Sequence, residues 1–165
     1  MNIFALSLNP KEAAKWHVDK HIVKMPLETA QILCTVRRAY YDDETAPYRS
    51  THQNHPCCKW AAESVQNYVW LCILGIELCK EYTYRYNKKH KCQAIIEECL
   101  EKIPKKMRNT GRTGFVQAMP EHCKMDDSVL AYRNYYVKEK SHLASWRSRD
   151  IPDWWSDAHI PSKSS

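Results

Sequence analysis

Apolar and polar residues alternate with a helical period along most of the chain. Asn9, Pro10 and Glu12 form a helix start in which the asparagine caps, the proline takes the first helical position and the glutamate reaches back. We predict a long first helix from there to about Arg38. Pro26 lies inside this helix and removes one backbone donor, so we expect a kink beside it.

A stripe of five polar residues follows one face of this predicted helix at alternating spacings of four and three. Lys15, Asp19 and Arg37 fall on the opposite side, where we expect the helix to meet water. Because ionisable groups between apolar neighbours are costly, the stripe indicates either a hydrogen-bonded network in the core or a functional cleft. Its members are His17, His21, Lys24, Glu28 and Gln31.

Three further helices are predicted downstream. The second runs from near Pro56 to about Lys89, and a shorter third covers residues 92–102. Glycines and prolines then predict an irregular basic loop over residues 104–125. Asp126 and Asp127 can cap a last helix that ends at about Trp146. The sequence therefore predicts an all-α fold of about four helices.

Length and composition fit one domain. The 165 residues are 44% hydrophobic, which is enough for one core, and we expect a single helical domain over residues 1–160 with a disordered tail over 161–165. The net charge of +6 favours an anionic partner such as DNA or a nucleotide. No segment is apolar enough to span a membrane, and the start lacks a secretory signal pattern. The eight cysteines lack paired spacing, so we expect buried thiols in an intracellular, reducing compartment.

Two groups of residues in and near the stripe could carry chemistry. Lys24 and Glu28 are one helical turn apart, so they form either a plain ion pair or an amine nucleophile with an acid/base partner. The second group is a set of four imidazoles that could close a metal site, although the HxxxH pattern is a weak signal by itself. No motif implies another cofactor. The four are His17, His21, His52 and His55.

Basic and aromatic residues are interleaved along the chain from Arg37 to Tyr136. Cations neutralise phosphates and aromatic rings stack on bases, so this mixture favours contact with nucleic acid or a nucleotide. It includes Arg37, Arg38, Arg85, Lys88 to Lys91, Lys105, Lys106, Arg108 and Arg112, with Tyr40, Tyr41, Tyr82, Tyr84, Tyr86, Tyr132, Tyr135 and Tyr136.

A series of motifs covers nearly the whole chain. They are HxDKHxVKM and LExAQ over residues 17–31, HxNHP over 52–56, EYTYRYxKxHK over 81–91, QAMP over 117–120 and AYRNYYxxEK over 131–140. In these motifs the chain resembles a family of small proteins of tailed phages and other DNA viruses, whose members mostly have no assigned function. This resemblance implies a viral protein that acts in the host cytoplasm or nucleus.

The order of segments also resembles the small all-helical pyrimidine-dimer DNA glycosylases with abasic-site lyase activity. The shared features are a start like residues 2–8, a helix with His17 and Pro26, the NHP motif before a long helix, and the late aromatic and basic run at 132–136. The resemblance implies a helical protein that kinks DNA, flips a nucleotide out of the stack and forms a Schiff base with the sugar.

Two positions depart from that family's pattern. Its nucleophile is an N-terminal α-amine exposed by removal of methionine, whereas Asn2 is bulkier than the residues that usually permit this removal. Lys24 stands where the family's assisting glutamate would align. We therefore hypothesise that Lys24 is the amine and that Glu28, one turn later, is the acid/base group.

The sequence thus predicts a DNA glycosylase/lyase-like enzyme of DNA repair or modification. His17, His21 and His55 would orient or protonate the substrate beside Lys24 and Glu28. Two alternatives stay open, a non-catalytic module that binds a nucleotide or nucleic acid and inhibits a host factor, and a hydrolase that uses the four histidines and a metal. The residues expected to bind the substrate are Gln31, Tyr48, His52, Asn54, Arg85, Lys89, Lys91 and Arg133.

Overall fold

A computed structural model describes residues 1–159, and in that range the chain forms seven α-helices and no β-strand. The predicted all-α class is confirmed, but the predicted number of about four helices is wrong. The tail predicted over residues 161–165 lies outside the described residues. The helices are α1 (Pro10–Trp16), α2 (Asp19–Thr35), α3 (Pro56–Ala62), α4 (Val65–Tyr86), α5 (Gln93–Glu101), α6 (Ser128–Glu139) and α7 (Asp153–Ala158).

The predicted first helix is two helices, because the chain breaks at His17 and Val18 rather than at Pro26. Both residues at the break have extended backbones, with ψ angles of 136° and 155°. The guanidinium of Arg85 donates to the carbonyl oxygens of Lys15 and His17, which the end of α1 leaves without helical partners. Helix α2 continues through Pro26. Hydrogen bonds from a distant arginine therefore compensate for a break that the local pattern does not show.

Two more differences from the predicted helices lie further along the chain. The predicted second helix breaks at Glu63 and Ser64, where the Ser64 hydroxyl accepts a hydrogen bond from the Asn67 amide and starts α4. The last long helix starts at the predicted cap, Asp127, but α6 ends at Glu139 rather than near Trp146. A short 3₁₀ turn over Ser141–Leu143 follows it.

Helix α4 is the centre of the fold and packs against α1, α2, α3 and α5. Its Gly75 lies at the crossing with α2, where a Cβ atom would come within 2.8 Å of the Thr29 methyl group and 3.0 Å of Ile96. The eight cysteines are free thiols and all are buried, as predicted. Within residues 1–159 no helix is both long enough and apolar enough to cross a membrane.

The first six residues run through the interior instead of along the surface. The side chains from Ile3 to Leu6 are almost fully buried. Arg133 of α6 donates from Nε to the Leu6 carbonyl oxygen at 2.9 Å, and Trp70 of α4 donates to the Leu8 carbonyl oxygen at 2.9 Å. These contacts hold the start of the chain against α4 and α6.

Candidate active site

The threaded N-terminal segment places the α-amino group of Met1 against Glu28. The amine nitrogen lies 3.1 Å from Glu28 Oε1, and the side chains of the two residues are only 6% and 10% exposed. Lys24 Nζ lies 3.6 Å from the other carboxylate oxygen, but its side chain is 69% exposed. Glu28 therefore faces two amines, one enclosed and one at the surface.

Asn2 fixes the backbone that carries this amine. Its Oδ1 accepts hydrogen bonds from the Ile3 amide at 2.8 Å and from the Tyr132 hydroxyl at 3.1 Å. Its Nδ2 donates to the Ala118 carbonyl oxygen at 2.8 Å. Asn2 thus joins the chain start to α6 and to the long loop before it, which restricts where the Met1 amine can lie.

The start of α3 forms another wall of the site. His55 caps α3, because its Nδ1 accepts a hydrogen bond from the Cys57 amide at 3.0 Å. Burial lowers the pKa of His55, the Met1 ammonium group and His52 lower it further, and the Glu28 carboxylate raises it. Cys57, two residues later, places its Sγ 3.8 Å from Asn2 Oδ1, which brings the start of α3 against the chain start. Cys58 Sγ lies 3.8 Å from the Met1 sulfur and helps to hold that side chain.

The polar stripe is divided between the interior and the surface. His17, His21 and Glu28 are buried, Gln31 is half-buried and Lys24 is exposed. The predicted wet side of the first helix is also wrong, since Arg37 is fully buried. Arg37 lies in a π-helical turn (Val36–Tyr40) that follows α2, and the loop after this turn folds back over it. Its guanidinium then pairs with Asp43 at 2.8 Å and donates to Cys99 Sγ at 3.6 Å.

The two early imidazoles are neutral groups inside the fold. His17 Nδ1 is 2.7 Å from the Ala13 carbonyl oxygen, and burial lowers the pKa of His17 to about 4. His21 Nδ1 is 2.7 Å from the Tyr136 hydroxyl, the ring stacks on Phe4, and burial lowers its pKa to about 3. At neutral pH neither ring carries the proton that the predicted protonating role requires. These contacts indicate that the two imidazoles stabilise the packing around the start of the chain.

The three predicted binding residues in the segment before α3 have different environments. Tyr48 is half-buried and its hydroxyl lies 3.5 Å from Cys92 Sγ. His52 and Asn54 are exposed, and His52 has a left-handed backbone with a φ of 50°. Thr35 of α2 fastens this segment through two hydrogen bonds with the backbone of Thr51. His52 and Asn54 therefore lie at the surface next to the His55 cap.

The predicted phosphate-binding residues also separate. Lys89 and Lys91 are exposed. Arg85 is buried, and its guanidinium donates to Glu81, Asp19 and two carbonyl oxygens, so its observed contacts all lie within the fold. Arg133 is half-buried, stacks over Trp16 at 4.8 Å and lines a surface cleft of about 510 Å³ together with Leu8 and Arg112.

The four histidines of the metal hypothesis do not converge. His52 bonds to Thr51, and His55 uses Nδ1 as a helix cap. Within residues 1–159, the one group of three potential metal ligands whose donor atoms lie within 4.8 Å of one another is elsewhere. It consists of His122, Cys123 and Glu139.

Comparison with known families identifies the family of this chain. A sequence model described as pyrimidine dimer DNA glycosylase matches residues 1–94, which is more than half of the chain. The chain belongs to the pyrimidine dimer DNA glycosylase family. No curated protein and no solved structure matches it. The resemblance inferred from the segment order is confirmed, and membership suggests a glycosylase-like function with DNA as the partner.

The matched range contains the main groups of the candidate site. Met1, Glu28 and His55 all lie within residues 1–94, whereas Ala118 and Tyr132, which hold Asn2, lie outside it. Sequence reasoning missed the Met1 amine because it weighed only the removal of methionine. The signal was present in the apolar run from Ile3 to Leu6, which predicts a buried segment at the chain start.

Proposed function

We propose that the protein is a DNA glycosylase with abasic-site lyase activity, in which the Met1 α-amine is the nucleophile and Glu28 is the general acid/base. The single observation that carries this proposal is the 3.1 Å contact between the enclosed amine and the Glu28 carboxylate. A nucleophile within hydrogen-bond reach of its base is the expected signature of covalent catalysis. The family description supports pyrimidine dimers as the lesion.

The Met1 amine is a better candidate than Lys24. Lys24 Nζ is 3.6 Å from Glu28, and its side chain is mostly in water, where it is free to move. The Met1 amine is closer, and its backbone is fixed by Asn2.

The chemistry follows from this pair. Glu28 accepts a proton from the ammonium group, and the neutral amine attacks C1′ of the deoxyribose. The bond from nitrogen to C1′ forms as the glycosidic bond breaks, and the base leaves with that electron pair and takes up the proton lost by the amine. Protonated Glu28 then gives its proton to the ring oxygen as the C1′–O4′ bond opens, which leaves a Schiff base between Met1 and the sugar.

Borohydride trapping tests this proposal. A duplex with an abasic site is incubated with the protein and sodium borohydride, and the reduced adduct is digested and located by mass spectrometry. We expect the adduct on the Met1 nitrogen. Glu28→Gln is expected to lower the trapping rate by about 100-fold or more, within the range of general acid/base effects.

Three matched variants complete the test. Lys24→Ala removes the competing amine of α2 and is expected to keep the adduct on the Met1 nitrogen, whereas Lys80→Ala, at an exposed lysine of α4, is expected to trap at the wild-type rate. An extension of two residues before Met1 removes the free amine at its observed position and is expected to abolish trapping. An adduct on Lys24, or full trapping by the extended chain, overturns the assignment of Met1. If the wild-type protein forms no adduct, the lyase proposal is overturned.

A further inference from the structure

Helix α2 exposes two apolar side chains beside the candidate active site. Val23 is 47% and Leu27 is 41% exposed, and they are one helical turn apart. They alternate with the exposed lysines Lys20 and Lys24 on the same face. Sequence periodicity places Val23 and Leu27 on an apolar shoulder of the helix, but in the structure no neighbouring element covers them. We call these four residues the α2 ridge.

The ridge adjoins the amine and the carboxylate. Leu27 immediately precedes Glu28, and Lys24 lies 3.6 Å from the Glu28 carboxylate. Successive residues of an α-helix are rotated by about 100° around its axis. Glu28 and His21 therefore project from one edge of the ridge, and Val23 lies at the opposite edge. The ridge therefore lies directly beside the Glu28 carboxylate.

A basic segment borders the ridge on the Val23 side. His90 donates from Nε2 to the Val23 carbonyl oxygen at 2.9 Å, and its Nδ1 accepts from the Cys92 amide at 3.1 Å. Both ring nitrogens are thus used to fasten the segment after α4 against α2. Lys88, Lys89 and Lys91 are exposed on this segment. Positive charge therefore lies along one border of the ridge.

Another cation lies on the opposite border. Lys140, at the end of α6, places its Nζ 5.2 Å from the centre of the Tyr135 ring. The Tyr135 ring stacks on Phe4 with centres 5.9 Å apart, and Phe4 stacks on His21 with centres 4.4 Å apart, so Lys140 lies on the His21 side of α2. His21 projects from the Glu28 side of α2. The ridge thus has an apolar centre with cations on both sides.

We infer that the α2 ridge is a DNA wedge, with Val23 and Leu27 entering the base stack beside the nucleotide that reaches Glu28. A duplex offers two phosphate strands on either side of an apolar stack, which matches the charge pattern of the ridge. Apolar side chains that enter a base step unstack it and bend the duplex. Single exposed apolar residues are ordinary, but this pair is bordered by cations and adjoins a reactive pair. The inference rests on the proposed function in that DNA is the substrate.

The wedge is tested on DNA that cannot react. A duplex carries a tetrahydrofuran abasic analogue and a neighbouring 2-aminopurine, whose fluorescence rises when the base is unstacked. Anisotropy reports binding in the same sample. We expect the wild-type protein to raise the 2-aminopurine signal several-fold. The double variant Val23→Ala/Leu27→Ala is expected to bind within about tenfold of wild type and to lose that rise.

Matched controls separate the wedge from general surface effects. Leu130→Ala removes a similarly exposed side chain, 44% exposed, near the start of α6, and should leave the fluorescence rise unchanged. Lys89→Ala/Lys91→Ala should weaken binding and reduce the slope of log affinity against log salt by about two, since each phosphate contact contributes about one. Circular dichroism of each variant verifies folding.

The outcomes distinguish the wedge from the lyase proposal. If the double variant raises the fluorescence as wild type does, or if wild type binds without any rise, the wedge is overturned whatever trapping shows. If the wild-type protein unstacks DNA but is not trapped by borohydride, the wedge stands and the lyase proposal fails. Binding of the ridge to a protein rather than to DNA would appear as no anisotropy change on any duplex, and this also overturns the wedge.

Discussion

Acidification should destabilise this protein through two buried imidazoles. Burial lowers the pKa of His17 to about 4 and that of His21 to about 3, from the ordinary value of 6.5. As the pH falls below 6.5, the unfolded chain takes up a proton at each imidazole, whereas the folded protein does not until about pH 4 or 3. The unfolded state then binds more protons, so the free energy of unfolding falls as the pH falls.

The size of this effect follows from the same values. At pH 5 an unfolded imidazole is almost fully protonated and the folded one is almost fully neutral. The difference amounts to about 1.5 pH units, or about 2 kcal/mol, for each histidine relative to pH 7. The two together remove about 4 kcal/mol, a large fraction of the 5 to 15 kcal/mol typical of a domain.

Urea unfolding followed by tryptophan fluorescence at pH 7, 6 and 5 measures this loss. His21→Gln removes one titrating group while the amide oxygen can still accept from the Tyr136 hydroxyl. This variant should lose about 2 kcal/mol less than wild type between pH 7 and pH 5. His142→Gln, at an exposed histidine, should follow wild type. A His21→Gln protein with the full wild-type loss would refute the reasoning, because the buried neutral ring would then not be the cause.

Three stability predictions concern the helices that position the site. Gly75→Ala should cost about 1 to 3 kcal/mol, since its Cβ would lie 2.8 Å from the Thr29 methyl group; an unchanged urea midpoint would show that the crossing relaxes freely. Arg85→Ala should cost about 3 kcal/mol or more, because Asp19, Glu81 and the end of α1 lose its hydrogen bonds, whereas Arg147→Ala, at an exposed arginine, should change stability by less than about 0.5 kcal/mol. Asn9→Ala should cost about 1 kcal/mol, as its side chain accepts from the Lys11 and Glu12 amides; no change in thermal melting would contradict the cap.

Local signals in the sequence determined where several helices begin. Asn9 and Asp127 cap α1 and α6 as predicted, and the apolar period of residues 92–102 matches α5. Cap preferences and helical periodicity depend on residues within a turn or two, so they are readable without the fold. The spacing that joins Lys24 to Glu28 is of the same kind, and the structure confirms the contact.

The sequence also determined that polar side chains line one face of the first predicted helix. It did not determine which of these side chains are buried in the folded protein. The backbone break at His17 depends on Arg85, which is 68 residues away along the chain. The burial of Arg37 depends on the loop that brings Asp43 back to it. Contacts at such separations leave no periodic signal in the local pattern, so the predicted wet side of the helix was wrong.

The meeting of the Met1 amine with Glu28 was decided by tertiary structure alone. Periodicity compares side chains on one element, whereas this pair joins the chain start to the middle of α2. The amine reaches the carboxylate because Asn2 is held by Tyr132 and by the Ala118 carbonyl oxygen, more than a hundred residues later. The same packing leaves Val23 and Leu27 uncovered beside it. The sequence supplied the acid and the helix, and the threading of the N-terminal segment through the core supplied its partner.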